Sequence, residues 1–147
     1  MTATAPEKIT YTSASGDLDA FHRQFDAALA AVRAAAGKRH PCYIAGRPVE
    51  SKAEPLVDRS PIDTSFILAT FACADATHVD EAAKAAKAAQ RGWGRLSWQQ
   101  RVATMRQAAR LVRERKYELA AIMALEVGKS RLEAMGDAEE SADLIDY

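Results

Sequence analysis

The sequence predicts an α/β fold in which one helix is followed by a β-hairpin, further strands and three more helices. Apolar residues recur at helical spacing before residue 37 and again after residue 75. Between these regions, β-branched and aromatic runs alternate with prolines and turn-forming residues. The chain has 147 residues, of which 48% are apolar and 27% charged, so it is long enough to bury a modest core.

The first helix is expected to begin after Asp17, whose side chain can cap it, and to end at Gly37. Residues 1–16 are small and polar and predict a flexible arm before the helix. The apolar face of this helix consists of Leu18, Phe21, Phe25, Ala28, Val32 and Ala35.

The middle of the chain predicts strands. The stretch CYIAGRPVES predicts a hairpin with a turn at residues 45–48, and PLVDRSP and SFILATFACA predict two further strands. Cys73 is expected to pack along the last of them. Cys42 and Cys73 stand 31 positions apart, without the spacing of a metal site or a disulfide framework. We therefore expect a reducing, cytoplasmic environment.

The next two helices have recognisable start signals. ATHVDEAAKAAKAAQRGW has Thr77 and Asp80 at capping-box spacing, and the long helix that follows is capped by Ser97 with Gln100. The long helix is expected to bend near residues 115–116. The earlier helix presents a face that is small enough for close packing against another element, formed by Val79, Ala82, Ala86 and Ala89.

The triplet Gly128-Lys129-Ser130 ends like the phosphate-binding loop G-x-x-x-x-G-K-[ST]. That motif requires a preceding strand and a glycine where this chain has Met123. Helical spacing precedes the triplet instead, so Gly128 is expected to end one helix. Ser130 and Glu133 have the spacing of a capping box for the next helix. We interpret the triplet as a joint between two helices.

Charge and hydropathy exclude several classes of partner. Lysine plus arginine and aspartate plus glutamate number 20 each, so the chain has no net field for nucleic acid or an anionic membrane. No apolar run reaches the roughly 18 residues of a membrane span. The amino terminus lacks an apolar segment typical of a secretory signal. We expect neither nucleic-acid nor membrane partners.

The last predicted helix has an apolar side and several carboxylates. Steps of about 100° per residue place Glu140 roughly 160° from Ala142, which lies on the apolar side. By this geometry Glu140 is a solvated charge. The helix reaches Tyr147 without a glycine, a proline or a cationic last turn, so it is expected to continue in a longer protein.

Several stretches together resemble the amino-terminal part of aldehyde dehydrogenases, over roughly residues 17–147. They are YIAGRPVES, VDRSP, ADATHVDEAAKAAKAAQRGWGRLSWQQR, RERKYELAAIMALEVGKSRLEA and SADLIDY. RHPCYIAG, EVGKS and EESADLIDY are most similar to the L-glutamate γ-semialdehyde (1-pyrroline-5-carboxylate) dehydrogenases within that superfamily. The chain departs from many members at SPIDTS, where they have a proline–Ser/Thr–Gly turn.

The resemblance implies an α/β NAD-binding domain of which residues 17–147 form the amino-terminal segment, ending before the dinucleotide-binding core. It implies an NAD-dependent, homo-oligomeric parent that oxidises L-glutamate γ-semialdehyde, a small-molecule aldehyde, to glutamate in proline catabolism. Neither Cys42 nor Cys73 matches the motif of the family's nucleophile, so no catalytic residue is expected here and the chain alone should be inactive. The alternative function is a self-standing helical adaptor derived from the same fold.

Two sites are carried over from the resemblance. Glu140 matches a glutamate that faces the aldehyde in the substrate pocket, and Glu139 is the neighbouring competitor for that role. Many family members also hold a structural monovalent cation. Here its side-chain ligand would be Glu126, with backbone carbonyls of Leu56 and Val57 as further ligands.

Overall fold

The computed structural model describes residues 18–147 and divides them into two compact units. Residues 18–34 and 105–147 form the first unit, and residues 35–104 form the second. The predicted arm at residues 1–16 and the predicted cap Asp17 lie outside the described residues. No described helix has both the length and the apolarity to cross a bilayer.

The elements are α1 (Leu18–Ala35), β1 (Lys38–His40), β2 (Cys42–Ile44), β3 (Arg47–Val49), β4 (Leu56–Arg59), β5 (Ile67–Phe71), α2 (Ala76–Arg95), α3 (Trp98–Glu114), α4 (Lys116–Val127) and α5 (Arg131–Asp146). This order confirms the predicted α/β class.

The core of the first unit lies where α1 meets α4 and α5. Phe21 and Phe25 are buried, which confirms the centre of the predicted apolar face of α1. They pack mostly against alanines, which let the helices approach closely. Burying each ring contributes about 1.5–3 kcal/mol to the free energy of unfolding. The rest of this core is formed by Ala120, Ala124, Ala134 and Met135, with Leu29, Tyr117 and Met123 at its edge.

The second unit contains a three-stranded sheet in the order β1-β5-β4. β4 is antiparallel to β5, whereas β1 is parallel to it. β1 was not predicted from the sequence, because its three residues are polar and exposed and have no apolar alternation. Gly37 ends α1 as predicted: its φ of 79° is left-handed, and its N–H donates to Leu68 O at 2.8 Å.

The hairpin of β2 and β3 is confirmed, but its turn is shorter than predicted. Ala45 and Gly46 both have positive φ, 51° and 74°, as in the two-residue turns that match strand twist. Arg47 and Pro48 belong to β3 and pair with β2. The proline is tolerated because it stands in a two-stranded ribbon, where each strand is an edge.

The start of α2 differs from the prediction. The helix begins at Ala76, and its capping box joins Asp75 and His78 instead of Thr77 and Asp80. The His78 N–H donates to Asp75 Oδ1 at 3.1 Å, and the Asp75 N–H donates to His78 Nδ1 at 3.2 Å. The imidazole of His78 takes the place that glutamate or glutamine usually has. The usual capping-box pattern therefore does not predict this start of the helix.

The alanine-rich face of α2 is exposed. None of the residues of this helix is buried, and Val79 is 61% exposed. The close packing predicted for this face is therefore absent within the described residues.

The predicted long helix is two helices, so four helices follow the strands instead of three. Ser97 and Gln100 cap α3 as predicted, since each backbone N–H donates to the other residue's side chain. At Arg115, inside the region where a bend was expected, the N–H is shared between the carbonyls of Leu111 and Val112. This tightening ends α3, and α4 begins one residue later.

Candidate functional site

The joint between α4 and α5 has the predicted form. Gly128 ends α4 with φ 71° and ψ 22°, in the left-handed region. The Glu133 N–H donates to Ser130 Oγ, and the Ser130 N–H donates to Glu133 Oε2 at 3.2 Å. A helix precedes the Gly128-Lys129-Ser130 triplet, which confirms that it is not a phosphate-binding loop.

Glu139 is a buried carboxylate on α5. Its Oε1 lies 2.6 Å from Lys116 Nζ, at the first residue of α4, and the two side chains are only 6% and 13% exposed. This ion pair satisfies both charges where water has little access. Burial and then the charge of Glu139 raise the pKa of the neighbouring Tyr117. This arrangement was not predicted from the sequence, because the partners stand 23 positions apart and share no local pattern.

Glu140 lies next to Glu139 in sequence but is exposed. Helical geometry places it opposite buried Ala142, as predicted from the periodicity. Steps of about 100° separate the directions of the two glutamates, so one is directed into the helix packing and the other away from it. Of the two candidates for the substrate-pocket role, Glu140 is exposed and Glu139 is buried against Lys116. The substrate-pocket role itself stays a prediction.

The α5 helix is also held near its carboxyl end. Arg113, in the last turn of α3, binds Asp143 Oδ1 at 3.1 Å and Asp146 Oδ2 at 2.5 Å. These hydrogen bonds raise the pKa of Arg113, with the bond to Asp146 as the larger cause. The ion pairs of Lys116 and Arg113 attach α5 at two places along its length and surround the segment that carries Glu140.

The residues predicted to bind a monovalent cation belong to different units. Glu126 is exposed in the last turn of α4, in the first unit. Leu56 and Val57 belong to β4, an edge strand of the second unit. An edge strand leaves some carbonyls outside the sheet's hydrogen bonds, as cation ligation requires. The cation site stays a prediction. Separately, no group of three or more histidine, cysteine or acidic side chains suited to a metal ion occurs among the described residues.

Both cysteines lie in the second unit as free, half-buried thiols. Cys42 begins β2, and its Sγ lies 3.1 Å from Ala72 O. Cys73 was predicted to lie on the last strand, but β5 ends at Phe71, so Cys73 follows it in the segment that leads to α2.

The described residues do not fit the pyrophosphate of a dinucleotide. Such a site uses a strand that passes through a glycine-rich turn into the first turn of a helix. Here β5 leads to α2 through residues 72–75, and this segment has no glycine. We therefore assign no step of cofactor chemistry to residues 18–147.

Comparisons with known proteins identify the family. The model of the aldehyde dehydrogenase family matches residues 48–147. The chain is 37% identical over 123 residues to the 1-pyrroline-5-carboxylate dehydrogenase of Staphylococcus aureus, covering 84% of this chain and 24% of that protein. It is 35% identical over 123 residues to 1-pyrroline-5-carboxylate dehydrogenase 2 of Bacillus subtilis, with the same coverage.

The fold has solved counterparts. The structure of 1-pyrroline-5-carboxylate dehydrogenase from Thermus with bound NAD covers all of this chain at a TM-score of 0.86 and 32% identity, and the match takes up 28% of that structure. The chain thus spans about a quarter of the length of the curated relatives that it matches. These findings confirm the resemblance predicted from the sequence. The chain belongs to the aldehyde dehydrogenase family.

Proposed function

We propose that the chain is part of an NAD-dependent dehydrogenase that oxidises L-glutamate γ-semialdehyde to glutamate in proline catabolism. The supporting observation is the similarity to 1-pyrroline-5-carboxylate dehydrogenases, which extends over 84% of the chain. The Thermus relative binds NAD, which supports NAD as the cofactor of the complete protein. The named relatives are dehydrogenases, so they do not support the adaptor alternative.

On this proposal, residues 17–147 form the amino-terminal segment of the NAD-binding domain. The dinucleotide-binding core, the nucleophilic cysteine and the general base belong to the remainder of the complete protein. Neither Cys42 nor Cys73 has the nucleophile's role. The complete protein is a cytoplasmic homo-oligomer that acts on a small aldehyde, and the chain alone is inactive.

Within the chain, Glu140 is the residue that we assign to the substrate pocket. Its carboxylate is exposed, whereas the preceding residue is buried in an ion pair with Lys116. A substrate-facing group needs both accessibility and a rigid support, because a small displacement of a positioned group strongly reduces the rate. The ion pairs on both sides of Glu140 along α5 supply that support.

The test compares the complete protein with the isolated chain. The complete protein should reduce NAD with L-glutamate γ-semialdehyde more efficiently than with short aliphatic aldehydes. The isolated chain should neither reduce NAD nor release heat when titrated with it. A complete protein that prefers another aldehyde would refute the substrate assignment. Micromolar NAD binding by the isolated chain would refute the position given to the cofactor site.

The gene itself offers an independent check. We expect the reading frame that contains this chain to encode a glycine-rich dinucleotide-binding segment and a cysteine motif beyond codon 147. A stop directly after that codon in several isolates would favour the adaptor.

A further inference from the structure

Continued two residues beyond its last pair, the register between β1 and β5 would set the two cysteines opposite one another. Three parallel pairs share an offset of 31 residues, as in Lys38 opposite Ala69 and His40 opposite Phe71. The two segments remain adjacent beyond β5, because the Ala72 N–H donates to His40 O at 2.9 Å. The same offset separates Cys42 from Cys73.

A second contact shows that the segments are still adjacent at the cysteines. Cys42 Sγ lies 3.1 Å from Ala72 O, and the carbonyl carbon of Ala72 is bonded to the nitrogen of Cys73. Adjacent strands lie about 4.8 Å apart, which falls within the roughly 4.4–6.8 Å Cα separation that disulfides require. Both thiols are free and half-buried, so a small reagent can reach them.

We propose that Cys42 and Cys73 are a redox modification site that forms a reversible disulfide with a low-molecular-weight disulfide, such as oxidised glutathione, as the oxidant. The thiolate of one cysteine attacks a sulfur of oxidised glutathione, and one glutathione thiolate leaves. The second cysteine then attacks the protein sulfur of the mixed disulfide, and the other glutathione thiolate leaves. The two cysteines are oxidised, their two protons pass to the solvent or to the glutathione thiolates, and one oxidised glutathione is reduced to two thiols.

The disulfide would join the start of β2 to the segment between β5 and α2. The loop that it closes contains the hairpin together with β4 and β5. Closing a loop of this length restricts the unfolded chain and so favours the folded second unit. This inference is independent of the proposed enzymatic function, because neither thiol takes part in it.

The test measures disulfide formation in a glutathione redox buffer, with alkylation of the remaining thiols and peptide mapping by mass spectrometry. The 147-residue chain contains only these two cysteines, so any intramolecular disulfide must join them. The native chain should form it at least about tenfold faster than the chain in concentrated urea, because the fold holds the thiols together. The matched control is Cys73→Ser/Ala74→Cys, which moves the second thiol to the other side of its segment and should react about as slowly as the unfolded chain.

The same mapping on the complete protein removes any dependence on how stably the isolated chain folds. A linked peptide containing Cys42 and Cys73 is expected there, and it should disappear on reduction. The proposal is overturned if both cysteines of the complete protein end as separate mixed disulfides with glutathione. It is equally overturned if the shifted variant forms the linkage as readily as the natural pair.

Discussion

Lys116 Nζ lies 2.6 Å from Glu139 Oε1, and this ion pair joins the start of α4 to the middle of α5 with both side chains almost excluded from solvent. The pair holds one side of α5 against the start of α4. Because Glu139 is held against α4, the next residue is directed away from the packing. A structural ion pair and the candidate substrate-pocket residue are therefore adjacent positions of one helix.

Removing one partner of this ion pair should lower the stability of the chain. We expect Lys116→Met to lower the free energy of unfolding of the chain by about 3 kcal/mol, because it leaves Glu139 as a buried charge without compensation. Urea titration followed by circular dichroism measures the change. Replacing both partners, in Lys116→Met/Glu139→Leu, should restore most of the loss, since two apolar side chains can pack where the ions were.

An exposed ion pair on α3 is the matched control. Arg110 and Glu114 are paired at the surface, with side chains 53% and 51% exposed. Arg110→Ala should change the free energy of unfolding by less than about 0.5 kcal/mol, because water and salt screen such pairs. Equal effects of Lys116→Met and Arg110→Ala on the free energy of unfolding would show that the buried pair stabilises the chain no more than the exposed pair.

Glu140→Ala should impair catalysis in the complete protein without weakening the fold. We expect kcat/KM for L-glutamate γ-semialdehyde to fall by about tenfold or more, which corresponds to about 1.4 kcal/mol of transition-state stabilisation. The melting temperature should change little, because the side chain is exposed in this chain. Steady-state kinetics and a thermal melt on the same preparation test both parts.

The control for Glu140 must be chosen from the structure. Sequence alone suggests Glu139→Ala as a neutral neighbour, but burial against Lys116 changes that expectation to a loss of stability. Ser141→Ala is the better control, because Ser141 is exposed and its hydroxyl only donates to Asp137 O, at 2.8 Å. Unchanged kinetics of Glu140→Ala would remove Glu140 from the substrate pocket. Equal losses in both variants would indicate a general effect on α5.

Glu133 should make the stability of the chain depend on pH in the acidic range. Hydrogen bonds from Ser130, with the side-chain bond as the larger cause, lower the pKa of Glu133 from its ordinary value of 4.5. Because the folded pKa is below the unfolded one, the contribution is fully present above pH 4.5 and is lost as the pH falls through the folded pKa. The stability difference between the natural chain and Glu133→Gln should therefore shrink under acid. Urea titrations of both chains at neutral and acidic pH measure this difference in the free energy of unfolding.

Ser130→Ala is a second test of that pH dependence, because it removes the hydroxyl that caps α5 and bonds to Glu133. Its stability difference from the natural chain should also shrink under acid. Curves that remain parallel to that of the natural chain at all pH values would contradict the assigned role of this capping box.

The chain expressed alone should self-associate. Val79, Trp98 and Leu144 are each more than 60% exposed, and large exposed apolar side chains favour association. Static light scattering should give an apparent mass that rises with concentration. Ala86→Glu should reduce this rise without lowering stability, because no residue of α2 is buried. A monomeric chain with a sharp cooperative melt at all concentrations would contradict the prediction.

Sequence was sufficient for several local interactions, although not for the Asp75–His78 capping box of α2. The capping boxes of Ser97 with Gln100 and Ser130 with Glu133 join residues three positions apart, and the left-handed Gly128 needs only its own flexibility. Periodicity also placed Glu140 opposite the apolar side of its helix. These features depend on a few consecutive residues, so their patterns can be recognised without the fold.

Tertiary structure decided what depends on distant residues. Lys116 and Glu139 are 23 positions apart, and no sequence pattern near either residue predicts the ion pair. β1 becomes a strand only because β5 lies beside it, and the offset of 31 residues between their paired positions equals the spacing of Cys42 and Cys73. The amino-acid sequence determined where most helices begin and end through short-range hydrogen bonds. The packing of separate segments determined which charges are buried and which strands pair, because those contacts have no local pattern.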